Sequence, residues 1–168
     1  MRDKTFQRVK RVAYDGLFAA LAFGLAFVEM LLPIDLGAGI KLGLANIVTL
    51  FVLYKFGLVD AAAVALVRIL LAGFLFNADT IMYGLFGAAF SLLLMALLKK
   101  IDIFSVVVVS ISGAIAHNFG QIVWSIIKMR TTAVAWYFFV LVISGVIGGC
   151  AVGLLAAWIM RRFEKYVK

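Results

Sequence analysis

An arginine, a histidine and three amides stand within or at the edge of otherwise apolar stretches: Arg68, His117, Asn118, Gln121 and Asn46, with Glu29 and Lys41 nearby in the chain. The chemistry open to such a set is recognition by charge and hydrogen bonding. An ionisable group in hydrocarbon costs at least about 2.5 kcal/mol, so it turns to a bundle interior, a water-filled cavity or a partner. For Arg68 this leaves a structural ion pair, with Glu29 or Asp79 as the acid, or direct contact with a ligand. His117 and Gln121 are four residues apart and share a helix face, which Ser110, Gly113 and Ala114 continue and Asn118 flanks. Interhelical hydrogen bonds alone account for a lone His or Gln there, whereas three clustered amide or imidazole groups favour recognition. Lys41 stands in GIKLGLANIVTL, with glycines at 37, 39 and 43 and a helix expected from about Leu42. A helix N-terminus beside an ammonium suits a carboxylate or phosphate; the bland alternative is a lysine that snorkels at the interface.

Bond-breaking chemistry finds little support. There is no GxxxxGK[ST] phosphate loop, no paired aspartate cluster to hold magnesium and a diphosphate, and no Ser, His and Asp set at plausible spacing. One histidine without a nearby cysteine, or a second His or carboxylate on its helix, is too few ligands for a metal. The expectation is therefore a non-enzymatic protein without metal or cofactor.

The elements that must position these residues are membrane spans. The chain is 66% hydrophobic and only 14% charged, with a mean hydropathy of +1.16, more apolar surface than a soluble fold can hide. A crossing needs about 20 mostly apolar residues, and six stretches answer: 12–32, 42–53, 59–76, 81–98, 104–127 and 134–160. The second is too short for a full crossing; either 37–41 extends it or it crosses a locally thin region beside its neighbours. Fold class is thus all-α, one integral membrane bundle of six transmembrane helices over 1–168, with short basic termini. The basic opening MRDKTFQRVKRVAYDG and the long apolar run behind it read as a retained first helix rather than a cleaved signal peptide.

With six crossings both termini share a side. That side holds twelve of the 16 lysines and arginines, the other side three, and Arg68 lies within a span. Positive residues stay cytoplasmic, so both ends are expected in the cytosol of a multi-pass cell-membrane protein. The net charge of +8 is then a fringe near anionic lipid, and no nucleic-acid partner is needed. On this orientation Glu29, Asp35, Lys41, Asn46, Arg68, Asn77, Asp79, His117, Asn118 and Gln121 fall in the outer half and border one externally open cavity.

Small residues recur at helical spacing. Gly16, Ala20 and Gly24 line one stripe of the first span, Gly145, Gly149 and Gly153 another on the last, and Gly84, Gly87, Ala88 and Ser91 a third on the fourth. Internal packing is the default for each. A partner interface is the sharper alternative, strongest for the first span. Cys150 sits inside the last span, where it reads as a small packing residue.

The runs GIKLGLANIVTL at 39–50 and HNFGQ at 117–121 resemble the small membrane family labelled Gx transporter or heptaprenyl diphosphate synthase component I, and the resemblance covers essentially the whole chain. That family in turn looks like the S components of energy-coupling factor (ECF) transporters, six-helix proteins that capture vitamins or related small molecules outside the cell. The resemblance implies partners: a transmembrane coupling protein and two cytoplasmic ATPases, docked through small residues of the first helix, here Gly16, Ala20 and Gly24 in place of the usual alanine pair. The expected function is therefore a substrate-binding S component for a small polar or anionic molecule, with Lys41, Asn46, Arg68, His117, Asn118 and Gln121 lining the pocket. The alternative is a non-catalytic accessory to polyprenyl diphosphate or quinone biosynthesis. The chain itself carries none of the acidic motifs that condensation of isoprenoid diphosphates uses.

Overall fold

Backbone polar groups in lipid find no water, so each apolar segment satisfies its own N–H and C=O groups as helix. The computed structural model describes residues 2–31 and 43–167, with side chains over 5–31 and 43–163. Six helices follow one another: α1 (Arg2–Leu31), α2 (Ala45–Lys55), α3 (Leu58–Leu75), α4 (Asp79–Ile101), α5 (Val106–Met129) and α6 (Phe138–Val167), the last entered through a 3₁₀ turn at Ala133–Tyr137. No strand occurs among the described residues. Five helices are long and apolar enough to cross a membrane, which makes this a multi-pass membrane protein.

The helices outrun their hydropathy. α1 already includes Arg8, Lys10 and Arg11, and α6 continues past Arg161 and Arg162, because neither basic flank contains a proline or glycine to stop the winding. The second element starts later than its apolar run. Gly43, at φ +75°, stands before α2 in a conformation that disfavours other residues, and Gly57 at φ +112° makes the turn into α3.

α2 decides the architecture. Its 11 residues rise about 16 Å, roughly half the hydrocarbon thickness, and Ala45, Ile47, Val48, Thr49, Leu50, Phe51, Val52 and Leu53 are all buried. A helix of that length cannot bring both ends to the membrane surfaces, and charged side chains from other helices complete its two ends. The Gly43 and Leu44 N–H groups donate to the two Glu29 oxygens at 2.6 and 3.0 Å. At the other end Lys99 Nζ donates to the Leu53 and Tyr54 carbonyls at 2.7 and 3.3 Å, with the ammonium 5.3 Å from the Tyr54 ring centroid. An acid at the positive end of the helix dipole and a cation at the negative end is the favourable arrangement.

Around this plug the other helices pack in register. A Cβ added at Gly149 would meet the Ile111 Cα at 2.7 Å, and one at Gly153 the Val107 Cα at 2.8 Å, so α5 and α6 run antiparallel with backbones nearly touching. α1 lies parallel to α3: Arg11 meets Asp60 near one end, and Phe23 and Phe27 stack on Phe76 near the other. α6 reaches α2 through an edge contact between Phe163 and Phe51.

Candidate functional site

Between these helices lies a cavity of about 570 Å³. α2 presents Asn46 and Thr49 to it, three residues apart and so on one face. α3 contributes Arg68 with Ala65, Ile69 and Ala72 around it, and α5 contributes Ser110, Gly113, Ala114, His117, Asn118 and Gln121, the polar stripe foreseen from spacing. Glu29 and Asn77 line it near one end, Met95 and Val152 toward the other.

Asn46, Arg68, His117, Asn118 and Gln121 are thus brought to one wall system, while Lys41 and Asp35 lie outside the described residues. The five are not equally free. Asn118 Nδ2 donates to the Leu141 carbonyl on α6 at 2.7 Å, so its amide ties two helices together while the residue lines the cavity. His117 packs against α4 where only a glycine fits: a Cβ on Gly87 would lie 2.7 Å from the imidazole. Gln121 Nε2 approaches His117 Nε2 at 3.3 Å; with the amide as donor, Nε2 accepts and Nδ1 carries the ring proton.

Neither acid offered as an ion-pair partner makes a direct salt bridge to Arg68 among the described residues, although Glu29 still acts on it through charge. Glu29 caps α2, and Asp79 pairs with Lys128 at 3.0 Å, the Lys128 ammonium lying 5.7 Å from the ring centroid of Tyr83. The anion at the N-terminus of α2 is Glu29 of the chain itself. Arg68 keeps a buried Nε without a partner, and the buried Thr49 Oγ1 lacks one too. Thr49 escaped sequence reasoning, although its spacing from Asn46 was the available signal.

One further charged contact was also not foreseen. Arg11 forms a two-pronged hydrogen-bonded ion pair with Asp60, through Nε to Oδ1 and Nη2 to Oδ2. Asp60 is 2% exposed and Arg11 56%, and the carboxyl of Asp15 adjoins the pair. An acid in the first turn of an apolar span was the clue to Asp60. Among the described residues no group of His, Cys, Asp and Glu is suited to a metal ion.

The three small-residue stripes divide. Gly149 and Gly153 are filled by α5, and Gly84 and Gly87 by Ile69 and His117. On α1, Gly16 and Ala20 are exposed, and a Cβ added at Gly16 or Gly24 would meet nothing within 4 Å. Internal packing does not explain this stripe.

A model of the heptaprenyl diphosphate synthase component I family matches residues 18–159, nearly the whole bundle. The chain belongs to that family. The match takes in α2, both cavity motifs and Arg68, so the cavity is built from the portion by which membership is recognised. No curated protein and no solved structure matches the chain.

Proposed function

We propose that this member of the heptaprenyl diphosphate synthase component I family is the substrate-binding S component of an ECF-type ABC uptake transporter. It captures a small polar or anionic molecule from outside the cell, with both termini in the cytosol. The observation that carries this reading is Arg68: a buried guanidinium nitrogen with no partner, on the wall of a cavity large enough for a vitamin-sized molecule. A buried polar atom left unpaired is costly, and a bound ligand relieves that cost. Asn46, His117 and Gln121 add adjustable donors and acceptors, and Lys41 is assigned to the same pocket on sequence grounds. The work of uptake falls to a coupling protein and two ATPases, since this chain has no phosphate loop. The open stripe at Gly16, Ala20 and Gly24 is the docking face for the coupling protein.

Binding is the first test. Arg68→Ala and His117→Ala each weaken retention of small molecules by gently purified protein while expression is kept; normal retention in both removes the pocket assignment. Docking is separable, because Gly16→Leu leaves the isolated chain folded and reduces co-purification of ATPase subunits. The family's name favours a second reading, a non-catalytic membrane subunit beside a polyprenyl diphosphate synthase. Stable association with such a synthase, and indifference to loss of the ATPases, decides for it. Labelling that puts a terminus outside the cell reverses the cavity and ends the case for capture from the medium.

A further inference from the structure

The charge carried by the cavity wall limits what can enter. Arg68 supplies one positive charge and Glu29 one negative among the described lining residues. Adding Lys41 raises the total only to a single positive charge. A diphosphate brings several negative charges and leaves most of them unpaired in a low-dielectric site, whereas one acid group is matched by one guanidinium.

The unpaired atoms favour the same chemistry. Arg68 Nε is a donor only, and Thr49 Oγ1 can donate as well as accept. A carboxylate accepts from both, on oxygens that need several hydrogen bonds once removed from water. The wall toward the Lys99 end is different: Leu50, Leu92, Met95 and Val152 supply apolar surface, broken only by the small hydroxyls of Ser91 and Ser110, and Met95 fills the space beside Gly113.

From this division we infer that the cavity takes a small amphipathic monoanion, a carboxylate with a compact apolar body, whose acid group is held by Arg68 and Thr49. The assignment rests on the capture reading above and names the class of substrate for it. Thr49 becomes a binding residue, and a prenyl diphosphate is excluded as cargo.

The test is native mass spectrometry of the full chain in nanodiscs with seven probes: benzoate, indole-3-acetate, octanoate, the primary amide of each, and geranyl diphosphate. At least one acid is retained and its amide is not. Retention of the ring acids identifies a ligand from solution, and retention of octanoate alone a lipid-derived one; either supports the shared chemistry. Arg68→Gln lowers retention by roughly tenfold or more, and Thr49→Val, which keeps side-chain shape and is not expected to disturb folding, by roughly tenfold. Equal retention of acid and amide, retention of geranyl diphosphate, or unchanged retention in Thr49→Val overturns the assignment while capture stands. Retention of none of the seven also overturns it, and capture falls with it only if gently purified protein carries no small molecule at all.

Discussion

The closed end of the bundle and the wall of the cavity treat embedded polar groups differently. Toward the end bearing the termini, Arg11 closes on Asp60 and Lys99 closes on the last carbonyls of α2, so each contact fastens one helix to another. In the cavity, Arg68 and Thr49 keep buried polar atoms with nothing to bond. Both regions start from ionisable residues in apolar helices, and the difference lies in whether a neighbouring helix supplies the counterpart. Charge closed by hydrogen bonds builds the scaffold, and polar atoms left without them are kept as binding capacity.

Arg11→Met attacks the paired side hardest. It strands Asp60, 2% exposed, beside the carboxyl of Asp15, and an uncompensated buried charge is among the more destabilising single changes. The thermal midpoint of the purified protein should fall further than for any other substitution considered for this chain. Asp60→Asn should cost much less, since the Arg11 side chain it leaves is 56% exposed and can rehydrate. Equal effects from the two changes would mean that the pair is not what fastens α1 to α3.

Lys99→Met comes next. It keeps the apolar stem and removes the ammonium that serves Leu53 and Tyr54, at an expected cost of about 1–3 kcal/mol. Hydrogen exchange should show the last turn of α2 opening before the rest of that helix. Uniform protection along α2 would show that the cap is dispensable.

Much of this fold was legible beforehand because hydropathy in lipid reports directly on helix formation. The six elements, the short second one and the α5 stripe from Ser110 to Gln121 all follow from period and length. The partners of the charges were not legible. Asp60, 49 residues from Arg11, and Lys99, 46 from Leu53, meet through packing that no local pattern encodes. The same limit explains Glu29: the sequence offered it to Arg68, and the chain uses it to close the exposed N–H groups of α2. Glycine spacing was likewise ambiguous, since the stripes on α1 and α6 look alike in sequence and only α6 has a neighbour filling it.

The smallest expected effect is the most discriminating. Arg68→Gln removes a charge from the middle of a span, yet it breaks no hydrogen-bonded ion pair within the described residues and gives up only the attraction of Glu29 across the cavity wall, so ligand-free protein should lose little stability. A shift within about 1 kcal/mol, measured by thermal unfolding without added ligand, is the outcome consistent with a side chain held for binding. A loss comparable to that of Arg11→Met would place Arg68 with the fastening charges. The contrast between the two regions would then disappear, because the cavity's arginine would be serving the fold through contacts as costly to break as those of the closed end.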